Sequence, residues 1–158
     1  MTKKDFNQFW RENYPDAKPI PYEFKREMAH RWFRIHSLPL SKRYAETPDE
    51  YDIILERQNE LITDFLGENQ PFLLVAVTWN KEKVVNTPSE KVWKSQDFNA
   101  ILKQIADDEA RYFFVGQIQN CLIAPYDGGV DIILKDTETR DFYKEKYKDW
   151  LSGTENGL

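Results

Sequence analysis

Hydrophobic positions along the 158-residue chain follow two spacings, one helical and one extended. Phe6, Phe9, Trp10 and Tyr14 recur at helical spacing until Pro15, and Thr2 followed by Asp5 resembles a capping box at the start of that helix. Pro19-Ile20-Pro21 reads as an extended crossing, and Tyr22 to Ala29 as a helical turn. Trp32 to Leu38 alternates, with Phe33 and Ile35 on one face and Arg34 and His36 on the other, and Pro39 stops the strand. The clearest helix start follows. Thr47 can cap, Pro48 suits the first helical position, and Glu50 completes the box. Tyr51, Ile54, Leu55, Gln58, Leu61, Ile62, Phe65 and Leu66 then form one stripe, which Gly67 ends.

Phe72 to Trp79 is almost uninterruptedly apolar, which predicts a central strand covered on both faces. Residues 80–94 read as a charged connector with a short strand at Val92-Trp93. Ser95 can cap a third helix that buries Phe98, Ile101, Leu102 and Ile105. Three strands follow, Arg111 to Ile118, Cys121 to Pro125 and Val130 to Leu134, with turns at Gln119-Asn120 and Tyr126-Asp127-Gly128-Gly129. A last helix starts near Asp136 or Thr137 and uses Tyr143, Tyr147, Trp150 and Leu151. The predicted order is αβαβαβββα. That is a single α+β domain over residues 1–152, about four helices on a four- to six-stranded mixed or mainly antiparallel sheet. Residues 153–158 form a loose tail.

Composition narrows the class. No apolar run approaches the ~20 residues of a membrane span. The segment Met1 to Phe6 has neither an apolar core nor a small-residue cleavage site, so no leader is expected. A lone Cys121 cannot form an internal disulfide, and a reducing cytoplasm fits all three observations. Charge is uneven. From Asp16 to Arg43 the chain carries +4 and everything else −9, so the acidic remainder disfavours a long polyanion.

Four places could carry chemistry. His30 and His36 are six apart, so on one strand they stand ~20 Å from each other, too far to share an ion. No metal and no cofactor is predicted. Cys121 opens an apolar strand and reads as a small buried hydrophobe. Asp127-Gly128-Gly129 reads as a hairpin turn whose glycines supply positive φ or let something approach the backbone. The remaining cluster, Arg31, Arg34, Lys42 and Arg43 with Trp32, His36 and Tyr44, is either a binding face or an internal ion-pair network with nearby acids such as Glu46, Asp49 and Glu50. Candidate binding residues are therefore Arg31, Trp32, Arg34, His36, Lys42, Arg43, Tyr44, Asp127, Gly128 and Gly129.

The strings Arg-Trp-Phe-Arg-Ile-His-Ser-Leu-Pro (31–39), Ser-Lys-Arg-Tyr (41–44), Tyr-Asp-Gly-Gly-Val-Asp (126–131) and Trp-Leu-Ser (150–152) resemble a family of small bacterial proteins of the domain-of-unknown-function kind. The resemblance runs from about the first strand to the end of the chain. It implies the family's fold and a bacterial origin, and it carries over no catalytic residue. With no nucleophile beside a base, no carboxylate dyad and no phosphate loop in the sequence, the expected function is a non-enzymatic protein-interaction module, immunity- or antitoxin-like in one version. A binder of nucleic acid or a phosphate ligand through residues 31–44 is the rival. The oligomeric state stays open.

Overall fold

The computed structural model describes residues 3–78, 81–86 and 95–154. Five helices and six strands alternate along these residues. They are α1 (Lys3–Asn13), α2 (Pro21–Glu27), β1 (Trp32–His36), α3 (Pro48–Leu66), β2 (Leu73–Thr78) and β3 (Lys81–Asn86). Then come α4 (Asn99–Ala106), β4 (Tyr112–Gly116), β5 (Cys121–Tyr126), β6 (Gly129–Ile133) and α5 (Thr137–Lys146). The strands form one sheet in the order β1-β6-β5-β4-β2-β3, and every pairing is antiparallel. The α+β class holds.

Alternation along each strand sends side chains to two cores. Phe33, Ile35, Leu74, Phe114, Ile123 and Ile132 meet α3, α4 and α5 through Leu61, Phe65, Leu102 and Tyr143. On the opposite face Val75, Val77, Phe113, Leu122 and Ile133 meet α1 and α2 through Phe6, Trp10 and Phe24. Because both faces are covered, inner strands lose the polar half of their alternation, which is why β2 and β6 read as apolar runs. The aromatic residues serve the core. Trp10, Phe24 and Phe113 pack with ring centroids 5.5–6.0 Å apart, and the Trp10 indole donates to the Ala17 carbonyl at 2.7 Å, holding the turn that follows α1.

The caps explain where helices begin. The Thr47 hydroxyl accepts from the Glu50 amide at 3.3 Å and Pro48 follows it, as expected. Gly67, at φ +80°, closes α3 by donating to the Thr63 carbonyl. Asp136 caps α5 through the Thr139 amide at 2.7 Å.

Several expectations need correction. Pro21 at the first position makes α2 a full helix of two turns. Residues 81–86 of the expected connector are strand β3, an edge strand held by backbone pairing with β2. Ser95 does not cap α4. It opens a 3₁₀ turn, and its hydroxyl lies 3.2 Å from that of Thr63. The expected central strand is β2, covered on both faces through Leu74 on one side and Leu73, Val75 and Val77 on the other, but the middle of the sheet belongs to β4 and β5, and Trp79 lies outside the described residues. The Thr2 cap and the Val92-Trp93 strand fall outside the described residues, as does most of the expected tail.

Val75 is fully buried in the α1–α2 core and paired on both sides. A carboxylate there has no partner, and even protonated it leaves a buried polar group unbonded in place of a packed valine, a loss of several kcal/mol out of the roughly 5–15 kcal/mol that typically holds a domain together. Val75→Asp should therefore give a chain without a cooperative thermal transition by circular dichroism.

Candidate binding cleft

The register of β1 on β6 sets the site. Arg34 lies opposite Asp131, and both side chains project onto the α1–α2 side of the sheet. Arg34 Nε and Nη2 donate to Asp131 Oδ1 and Oδ2 at 2.7 and 2.9 Å, a forked pair. The Trp32 indole adds a bond to Oδ1 at 2.9 Å. The guanidinium lies 4.7 Å from the Tyr126 ring centroid and 5.6 Å from that of Trp32. Burial alone would disfavour the Arg34 charge, and the bond and charge of Asp131 more than restore it, raising its pKa.

Arg43 reaches the same place from the loop after Pro39. Its Nε donates to Asp127 Oδ2 at 2.6 Å, and its guanidinium sits 5.4 Å from the Tyr44 ring. Burial alone would raise the Asp127 carboxyl, but hydrogen bonds from Arg43 and Tyr44 outweigh it and hold the pKa below the usual range. The structure thus gathers Trp32, Arg34, Arg43, Tyr44, Asp127 and Gly128 around Tyr126 and Asp131.

Other candidates are placed elsewhere. Arg31 bonds the Leu134 carbonyl and the Asn120 side chain, the latter at 3.0 Å, and ties β1 to the end of β6. Lys42 bonds Glu46 at 2.8 Å and Glu50 at 2.7 Å, at the start of α3. The His36 carbonyl accepts from Arg57 at 2.9 Å, while its Nε2 is buried without a partner. Burial, then the charges of Arg34 and Arg57, lowers the His36 pKa. His30 precedes β1 and His36 ends it. Cys121 is buried against the Phe65 carbonyl, and burial pushes its thiol up to about 12.

The turn works differently from expectation. Asp127 and Gly128 join β5 to β6, but among the described residues Gly67 is the only glycine with positive φ. Gly129 is needed for close approach instead, since a Cβ there would stand 2.1 Å from the Ile35 carbonyl oxygen. What approaches the backbone is the chain's own β1.

Next to this pair a cleft of about 490 Å³ opens between α2, the Asp127-Gly128 turn and the α4–β4 loop. Val77, Ala124 and Pro125 give it apolar walls, and Lys25, Arg43 and Arg111 stand at it. Two residues absent from the expected set, Tyr126 and Asp131, belong to it. Asp131 had a signal, because a carboxylate within the apolar run Val130 to Leu134 must find a buried partner.

These features define an antiparallel α+β domain in which the conspicuous cations are tied to its own carboxylates beside one cleft. The chain belongs to the family described as a domain of unknown function, DUF3885, which it matches over residues 20–92 and again over 89–155. No curated protein and no solved structure matches it.

Arg34→Ala strands a carboxylate whose side chain is only 7% exposed, so urea denaturation should show a loss of about 3–5 kcal/mol. Arg43→Ala should lose less: Asp127 is as covered as Asp131, but the lost arginine is 66% exposed, so its charge is screened by water, and Tyr44 still bonds the carboxylate.

His36 predicts a pH response. The unfolded imidazole takes up its proton near pH 6.5, whereas the folded one does so only at lower pH. Between those values the unfolded chain binds more protons, so stability falls as pH drops through that window. Thermal midpoints should decline below about pH 6.5, and His36→Gln should flatten that decline.

Proposed function

We propose that the chain is a non-enzymatic, cytoplasmic protein-interaction module whose contact face is the loop from Pro39 to Glu46 beside the Asp127-Gly128 turn. Leu40 carries this reading. It is fully exposed, and both it and Ser41 adopt left-handed backbone at φ +57° and +56°. That conformation costs a non-glycine residue roughly 1–2 kcal/mol, and an exposed leucine returns nothing within the monomer. The ion pairs of Lys42 with Glu50 and of Arg43 with Asp127 brace the loop from its C-terminal side. Tyr44, half-exposed, lies next to it. A braced loop presenting an apolar side chain suits a preorganised contact with another protein.

The phosphate-binding reading is weaker because Arg34, Lys42 and Arg43 already hold carboxylates that a phosphate would have to displace. Catalysis by Cys121 is disfavoured by its protonated, buried thiol. The immunity-like version, an acidic surface capping a basic toxin, is also the weaker one, since cations and carboxylates are balanced on this face. A cytoplasmic setting accords with the single reduced cysteine. Among the described residues no helix is long and apolar enough to cross a membrane.

Leu40→Asp tests the reading, because aspartate tolerates left-handed backbone and the site is exposed. The variant should melt like the wild type and lose the protein that co-purifies with the wild-type chain from its native cells. Retention of that protein, or turnover in a broad substrate screen, refutes the proposal.

A further inference from the structure

Resting on the interaction-module reading, we infer that the cleft is a docking groove for an extended acidic segment of the partner, an apolar residue beside an aspartate or glutamate. Three features converge there.

The first is a gap in the sheet. The Val77 amide donates to the Arg111 carbonyl at 2.9 Å, so the backbone of Arg111 faces β2 and that of Tyr112 faces β5. Pairing of β4 with β5 runs from Gly116↔Cys121 to Phe114↔Ile123 and stops there; carried on in the same register it would set Tyr112 opposite Pro125. Proline has no N–H, so the Tyr112 carbonyl receives no ladder bond from β5. Residues from both sides of the sheet line the cleft beside that position, Ala124 on β5 facing the α1–α2 core and Ile105 on helix α4 from the opposite core.

The second is the apolar wall of Val77, Ala124 and Pro125. The third is charge. The cleft's two buried carboxylates face inward, Asp131 to Arg34 and Trp32, Asp127 to Arg43 and Tyr44. Arg43 bonds Asp127 through Nε, and its side chain stays 66% exposed. Arg111 is 65% exposed with only a 3.6 Å contact to Asp108, and Lys25 is exposed. Asp108 also lines the cleft, half-exposed beside Arg111, so the four cations Lys25, Arg34, Arg43 and Arg111 outnumber the three carboxylates by one around an apolar floor that holds one backbone acceptor. A phosphate brings nothing to cover the apolar floor, whereas a peptide offers an N–H for the Tyr112 carbonyl, an apolar side chain and a carboxylate together.

The test titrates the ¹⁵N-labelled full chain with acetyl-Leu-Glu-Leu-Glu-amide, acetyl-Leu-Lys-Leu-Lys-amide and inorganic phosphate. The acidic peptide should shift the Tyr112, Ala124 and Tyr126 amides saturably, and the basic peptide should not. Lys25→Ala with Arg111→Ala should weaken it about tenfold. Pro125→Val restores the missing N–H and should weaken the peptide while leaving thermal stability equal or higher. Equal binding of the basic peptide, phosphate reproducing the shifts as tightly, affinity unchanged by Pro125→Val, or no saturable shift each overturns the groove. A chain that loses its partner on Leu40→Asp yet ignores the acidic peptide overturns the groove alone and leaves the interaction module standing.

Discussion

The forked pair between Arg34 and Asp131 is the constraint around which this end of the molecule is organised. Asp131 sits on β6 between two paired neighbours, in a run otherwise wholly apolar. A carboxylate there is tolerable only with its charge met and its oxygens bonded. Arg34 and Trp32 do both, and they can do so only in one register of β1 on β6, because a slip by one residue would turn Arg34 into the α3 core and Phe33 out of it. The pair is thus a device for register at least as much as for stability. Gly129 completes it by letting β1 come close at the turn, where any side chain would strike the Ile35 carbonyl.

Arginine serves this fold in a second way. The Leu134 amide bonds the Arg31 carbonyl and the Ser37 amide bonds the Gly128 carbonyl, so the odd-numbered residues of β1 face β6 and the even ones face outward along the sheet edge. Two outward carbonyls are met by arginines from helices, Trp32 by Arg140 at 3.4 Å and His36 by Arg57 at 2.9 Å. An edge strand dressed in this way has little left to offer another strand. The sheet is thereby closed on the β1 side.

Much of this was legible in the sequence because it rests on short-range rules. The Thr47-Pro48 start, the stripe from Tyr51 to Leu66, the alternation around Phe33 and the hairpin at Asp127-Gly128 each depend on neighbours within a few residues, although the Glu50 carboxylate closes its box on the Glu46 amide and Lys42 instead of on the Thr47 amide. What was not legible depends on distant partners. Lys81 to Asn86 carries no strand pattern, and its pairing follows from the exposed edge of β2. Ser95 has the chemistry of a cap, but in the fold its hydroxyl meets Thr63 on α3 instead. The turn at Asp127 is visible in the sequence but its geometry is not, because the demand on Gly129 comes from β1, ninety-odd residues earlier.

The same distinction governs charge. Along the chain, residues 16–43 look like a cationic patch of +4 set against an acidic remainder. In space Arg34 and Arg43 are folded onto Asp131 and Asp127, and Lys42 onto Glu46 and Glu50. Charge segregation in sequence has become charge pairing in structure, and the local field is that of dipoles rather than of a basic face. Specificity at such a surface cannot come from bulk attraction. In the proposed reading it comes from shape, from the exposed Leu40 on strained backbone and from the Tyr112 carbonyl without a ladder donor, with Arg43 and Arg111 beside it only partly engaged by their own carboxylates.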